Sequence, residues 1–337
     1  MNVAGAAPSR RLEPSSCGVV AIGRNEGERL RRCLESVVGR VPASVYVDSG
    51  STDGSAELAR SLGAIVVALD MSRPFTAARA RNAGFRRLRE AVPDLLAAQF
   101  VDGDCEVRDG WLERGFAFLH EHPDAAAVCG RNRERFPERS LYNRLCDIEW
   151  DTPVGETRAC GGNVMIRAAA FEQAGGFSEA LIAGEEPELC LRMRRAGWRI
   201  WRLDAEMTLH DAAMTRFGQW WRRTQRAGYA FAEGSSLHGS GPERHWVRET
   251  RSATLWGIAL PLLTLALLFP VGPAGALLLL VYPLQVLRLA ARGSGRLRDR
   301  LLHAFFLVLG KFAEALGQLR FLRLRLAGRR AGLIEYK

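Results

Sequence analysis

The seven cysteines of this chain (Cys17, Cys33, Cys105, Cys129, Cys146, Cys160 and Cys190) include no close pair. That absence excludes a zinc or redox spacing and offers no disulfide framework, so a reducing compartment is expected. The first 14 residues hold arginines but no apolar core. They predict a flexible tail rather than a secretory leader. Acid is in deficit, with 37 Asp and Glu against 47 Lys and Arg, a formal net charge of +10. An excess of that sign suits nucleic acid, an anionic membrane face or a phosphate-bearing ligand. Charge is missing altogether from two runs, Leu255 to Val271 and Ala274 to Leu287. Because much of the excess base flanks these runs, a membrane partner is expected and nucleic acid is not. With 337 residues, the chain is long enough for a sizeable core.

What is present begins with alternation. The apolar run Cys17 to Gly23 is followed by a helical pattern carrying Leu30, Cys33, Leu34, Val37 and Val38 on one face. Strands at Ser44 to Val47 and Ala64 to Leu69, a helix at Ala56 to Leu62 and another at Thr76 to Arg89 come next. The run Leu95 to Val101 then ends in Asp102-Gly103-Asp104. Strand–helix alternation predicts a parallel sheet covered by helices, with ligands at the carboxyl ends of its strands. Asp48 and the Asp102/Asp104 pair both fall at such ends. Two carboxylates one residue apart can share a hard divalent cation and leave positions for phosphate oxygens. Asp53, just before a helix, reads as a cap.

Six short segments resemble the family 2 inverting glycosyltransferases of the GT-A fold, over roughly Cys17 to Ser235. They are Ile22-Gly23-Arg24-Asn25-Glu26, Val47 to Asp53, Ala80-Arg81-Asn82-Ala83-Gly84, Asp102-Gly103-Asp104, Gly161-Gly162-Asn163, and Gly184 to Leu189 ahead of Arg192 and Arg195-Ala196-Gly197. The resemblance implies an α/β, Rossmann-like nucleotide-diphospho-sugar transferase fold. It implies a Mg²⁺ or Mn²⁺ cofactor held by Asp102 and Asp104, with His210 as a further ligand. Nucleotide-sugar contacts fall to Asp48, Ser49, Arg81, Asp102, Gly162 and Asn163. Relatives usually have Glu-Asp where this chain has Glu185-Glu186, so the aligned general base is Glu186, with Glu185 next. The base would take the acceptor hydroxyl's proton as that oxygen attacks the anomeric carbon, an effect worth about 10²–10⁴ in rate. The Gln-x-x-Arg-Trp signature of processive synthases is missing, which points to addition of one sugar per encounter.

The remainder differs in kind. Residues 15–235 are expected to form the transferase domain and 236–337 a helical, membrane-associated region, with a hairpin at about 254–289, either spanning or re-entrant, and an interfacial helix at about 301–320. Arg244, Arg248 and Arg251 precede the apolar runs, and Arg288, Arg292, Arg296, Arg298 and Arg300 follow them. Base on both flanks places both ends, and the catalytic domain, on the cytoplasmic face. Further arginines, Arg320, Arg323, Arg325, Arg329 and Arg330, suit an anionic leaflet. The expected reaction moves a sugar from a nucleotide-diphosphate donor to a lipid-linked or envelope-glycan acceptor. A sugar-phosphate nucleotidyltransferase and a catalytically silent sugar-nucleotide-binding membrane protein are the alternatives. The nucleotidyltransferase would carry a Gly-rich basic loop after the first strand, and Ile22 to Glu26 make a poor one.

Overall fold

A computed structural model of the protein describes residues 16–329. The expected tail 1–14 and Arg330 lie outside them. The chain opens with β1 (Cys17–Gly23), α1 (Glu28–Glu35), β2 (Ala43–Asp48), α2 (Ser55–Ser61), β3 (Ile65–Ala68), α3 (Ala77–Ala91) and β4 (Ala97–Asp102). These four strands lie in the order β3-β2-β1-β4, all parallel. Each side of the sheet is dressed by helices because side chains alternate along a strand. On β1, Val20 and Ile22 enter the core under α3, while Val19 and Ala21 enter the opposite core with Leu30 and Leu34 of α1. Thr76 caps α3 by accepting from the Arg79 N–H at 3.2 Å. Gly84 lets α3 settle directly on the sheet, since a Cβ there would run into Val20 and Val47.

Beyond β4 the sheet ceases to be parallel, contrary to the simple alternation. β5 (Cys105–Val107), α4 (Trp111–Glu121), β6 (Ala125–Glu134), α5 (Leu141–Glu149), β7 (Gly155–Glu156) and β8 (Val164–Arg167) follow, then α6 (Ala168–Gln173), α7 (Glu185–Arg195) and β9 (Arg199–His210). β8 pairs antiparallel with both β4 and β6, and β9 runs parallel to β6 and antiparallel to β5. The sequence from Trp198 to Asp211 reads as one last strand, and β9 runs from Arg199 to His210, pairing with β6, β5 and β7. Phe100 on β4 meets Phe171 at 5.4 Å and Phe177 edge-on at 5.3 Å between ring centroids. Burying each such ring stabilises the fold by roughly 1.5–3 kcal/mol. That cluster fixes the carboxyl end of β4, the edge where Asp102 and Asp104 emerge.

The second part is helical: α8 (Phe217–His238), α9 (Val247–Thr254), a π-helical turn Leu255–Ala259, α10 (Leu260–Val271), a 3₁₀ stretch Gly272–Leu280, α11 (Val281–Arg292) and α12 (Leu297–Leu326). Trp220 packs edge-on against Phe306 and Tyr229 against Phe321, so α8 and α12 run side by side in the same direction. Gly228 and Gly317 at their contact leave no room for a Cβ, which brings the two backbones together. The helix expected at about 301–320 is longer than that, and one side of it is packed against α8.

Candidate active site

The site is built from the carboxyl edge of the sheet. Asp102 ends β4, and its backbone N–H donates to Asn163 Oδ1 at 2.9 Å. This bond ties the Gly161-Gly162-Asn163 turn to the edge. Gly162 is bare for a reason: a Cβ there would lie 2.7 Å from Arg81 Nη2 and 3.1 Å from Asp102 Oδ2. Arg81 comes up from α3 and is only 3% exposed. Its Nη2 donates to Asp102 Oδ1 at 2.7 Å and its Nη1 to Glu185 Oε1 at 2.5 Å. Burial opposes the Arg81 charge, but Asp102 and Glu185 outweigh it and hold its pKa above the ordinary value. One guanidinium therefore links the end of β4 to the start of α7, two elements more than 80 residues apart in sequence.

α7 begins with Gly184 in a left-handed conformation, φ 78°, which aims Glu185 and Glu186 inward. Carboxylates in a first turn also suit the helix dipole. Glu186 is buried, and the backbone N–H groups of Cys160 and Gly161 donate to its Oε1 and Oε2 at 2.8 and 2.9 Å. The Cys190 thiol donates to Oε1 at 2.9 Å. Burial pushes the Glu186 pKa up, and these donors pull against it without overcoming it. The second oxygen of Glu185 accepts no hydrogen bond among the described residues.

Asp104 and His210 form a second group. Asp104 Oδ2 lies 3.1 Å from His210 Nε2, and β5–β9 pairing sets that approach. The ligand atoms of Asp104, Cys105 and His210 all lie within 4.8 Å of one another. Burial depresses the His210 pKa, so its ring is a neutral nitrogen donor. Burial drives the Cys105 thiol pKa well up, which keeps it protonated and a poor ligand. An Asp oxygen beside an imidazole nitrogen fits Mg²⁺ or, better, Mn²⁺. Asp102 Oδ1 accepts from Arg81, and its carboxylate is also the charge that acts most strongly on His210.

Arg81, Asp102, Asp104, Gly162, Asn163, Glu185, Glu186 and His210 all line one cavity of about 570 Å³. Asp48 and Ser49 do not form its walls. Asp48 sits at the end of β2 and accepts from the Gly50 and Ser51 N–H groups and the Tyr46 hydroxyl at 3.0–3.2 Å. Ser49 is buried, and its N–H donates to Gly23, a cavity residue. Asp53 is not the cap its position suggests: the α2 N-cap is Gly54, and Asp53, one residue earlier, accepts from the N–H and hydroxyl of Ser55 in an Asx-type turn.

Several wall residues escape sequence reasoning. Trp150 packs its ring 4.7 Å from His210 and comes from a loop that carries no motif. Arg223 and Arg226 of α8 do not escape it: they belong to the stretch Phe217 to Tyr229, where interleaved aromatics and arginines suit a collar over a phosphate site or a helix lying on a membrane. They contribute the basic side of the cavity. Trp246, at φ 53°, lays its ring over Gly184 and Gly234 and closes the far end. A positive φ at a bulky residue is unusual, but no sequence signal announces it. The cavity thus has an acidic edge, a basic wall and an aromatic end.

Residues 19–173 match the sequence profile described as Glycosyl transferase family 2. The chain is similar to glycosyltransferase AglE of Haloferax volcanii, 27% identical over 189 residues, covering 52% of this chain and 60% of that one. It is also similar to the succinoglycan biosynthesis protein ExoA of Rhizobium meliloti, 27% identical over 186 residues, covering 52% of this chain and 55% of that one. The chain's matches thus span little more than half the length of these relatives. Among solved structures it resembles the mannosyltransferase PcManGT of Pyrobaculum calidifontis in complex with GDP-Man and Mn²⁺. The TM-score is 0.57 at 18% identity, covering 90% of this chain and 87% of that one, a likeness of fold.

Proposed function

We propose that this chain, whose residues 19–173 match glycosyl transferase family 2 and whose fold is of the GT-A type, is a membrane-attached, metal-dependent, inverting sugar transferase. The donor is a nucleotide-diphosphate sugar and the acceptor a lipid-linked or envelope glycan. The reading is carried by the Arg81 bridge, which holds Asp102 and Glu185 against the same cavity. Asp104 and His210 would hold the cation, with Asp102 facing the donor beside Arg81. A bound Mg²⁺ or Mn²⁺ supplies positive charge to the departing diphosphate. Gly162, having no side chain, leaves the donor room against the sheet edge. Glu186 is the base: it receives the acceptor's proton on a carboxylate oxygen, and burial makes it a stronger base than a solvated glutamate. Glu185 positions Arg81. Asp48 and Ser49 shape the loop next to Gly23 that would meet the nucleotide base.

The membrane part of the proposal rests on two helical stretches, Val247–Arg292 and Leu297–Leu326, each long and apolar enough to cross a bilayer. Between them they expose many leucines. Arginines at their ends keep the catalytic domain on the cytoplasmic face. The test is thermal stabilisation and sugar transfer with purified protein, Mn²⁺ and a panel of nucleotide sugars. The panel includes GDP-mannose, the ligand of the archaeal neighbour. One donor should stabilise the protein only with Mn²⁺, and Asp104→Ala should lose both that stabilisation and transfer. Undiminished transfer by Asp104→Ala would remove the centre of the reading.

A further inference from the structure

The segment Val247–Arg292 is long and apolar enough to enter a membrane, but it is not one straight rod. The structure folds it in two. Gly272, at φ 64°, turns the chain, and the 3₁₀ stretch returns along α10. Gly275 comes so close to Leu267 that an added Cβ would meet its backbone at 2.8–3.0 Å. Further down, the Tyr282 hydroxyl donates to the Trp256 carbonyl at 2.6 Å, and the two rings lie 5.8 Å apart. The hairpin therefore has a base at Trp256 and Tyr282 and a tip at Phe269 to Gly275.

Base and tip differ in chemistry. Exposed Arg248, Arg251, Arg288 and Arg292 surround the base, and between Arg251 and Arg288 no residue carries a charge. A tryptophan–tyrosine pair at the same level is what a membrane–water interface selects. The tip consists of Phe, Pro, Val, Gly and Ala, with Phe269 97% exposed. No tip side chain can hydrogen-bond to water or a headgroup. The Thr264 hydroxyl within the hairpin is satisfied by the Leu260 carbonyl at 2.9 Å, and prolines at 270 and 273 remove two N–H donors near the turn. This is backbone and side-chain accounting suited to hydrocarbon. The reach is also short. Fifteen helical steps from Trp256 to Val271 give about 22 Å, against about 30 Å of hydrocarbon.

We propose that this hairpin enters an anionic bilayer from the catalytic side and ends inside the hydrocarbon, without reaching the far face. The inference rests on the membrane attachment proposed above and decides its form. Cationic flanks at a single level match one negatively charged leaflet, while a second interface would find nothing at the tip to hold it.

The test uses the full chain in phosphatidylglycerol-containing vesicles with the catalytic domain outside. Ala274→Cys, or Ala276→Cys if the first misfolds, is compared with Arg292→Cys and with the unaltered chain for reaction with an impermeant maleimide. The expected result is Arg292→Cys labelled from outside and the tip cysteine reacting about ten-fold more slowly or not at all, because water is excluded there. The tip should stay unlabelled with reagent trapped inside the vesicles, and a nitroxide placed on it should collide freely with O₂ but not with a polar nickel chelate. Labelling of the tip by trapped reagent would overturn the proposal in favour of a spanning hairpin. Failure of the protein to bind vesicles would instead overturn the membrane attachment itself.

Discussion

Replacing Arg81 with leucine tests whether the bridge organises the site. The substitution keeps bulk on α3 and removes the guanidinium that Asp102 and Glu185 share. Removing one partner of a buried ion pair costs about 3–5 kcal/mol, since a charge is left buried and uncompensated. The Glu185 side chain is 10% exposed and takes that cost nearly in full. Asp102, at 39%, can recover water and adds little. The estimate is therefore about 3 kcal/mol, which for a domain of this size lowers Tm by about 6–12 °C. Melting followed by tryptophan fluorescence in detergent at pH 7 measures it. Adding Glu185→Gln to Arg81→Leu should restore part of the loss, because the stranded charge is gone. An Arg81→Leu protein melting within about 1 °C of the parent would refute the reasoning, given the size of the expected penalty. So would a double variant whose loss is the sum of the two singles.

Three further expectations concern single groups. Glu186→Gln should lower transfer by about 10²–10⁴ while donor-induced stabilisation persists. The base acts only when ionised and burial raises its pKa, so transfer by the parent should increase with pH through a midpoint above the usual glutamate value of about 4.3. Gly162→Ala should weaken donor binding far more than it lowers Tm, as titrated by stabilisation with the nucleotide sugar, because its methyl group would press on Arg81 and Asp102. Glu233 on α8 lies outside the cavity, and burial raises its pKa to about 7. Its Oε2 has no hydrogen-bond partner among the described residues. A raised folded pKa gives stabilisation that is complete below about 4.3 and lost as pH rises through about 7. Urea unfolding should therefore show the parent losing stability over that window, and Glu233→Gln should flatten the loss.

Much of the first half of the fold is legible because local rules and tertiary structure agree there. The alternation from Cys17 to Asp102 yields the four parallel strands, and Thr76 caps α3 as its residue type predicts. The second half is less legible. β8 follows β4 in space but lies about 60 residues later, and its antiparallel direction depends on a loop that carries no motif. Asp53 reads as a cap but falls one residue short of it, because the chain enters α2 through Gly54 at φ 82°. Asp48 illustrates a related difficulty: a carboxylate at a strand end reads equally as ligand and as turn-former, and its three donors come from its own strand and loop. Trp246 enters the cavity through a backbone conformation that residue type disfavours.

What the sequence determines is the inventory: which acids, glycines and arginines exist, and the chain order in which strand ends deliver them. The 3.6 and 2 periodicities suffice for that, since they report only near neighbours. Tertiary structure decides partnership. A surface-looking arginine on α3 becomes buried because the end of β4 and the start of α7 converge on it with two negative charges. Two apolar runs become a blunt hairpin because one glycine reverses the chain. Both outcomes depend on contacts between residues distant in the chain, whose energies no local pattern encodes.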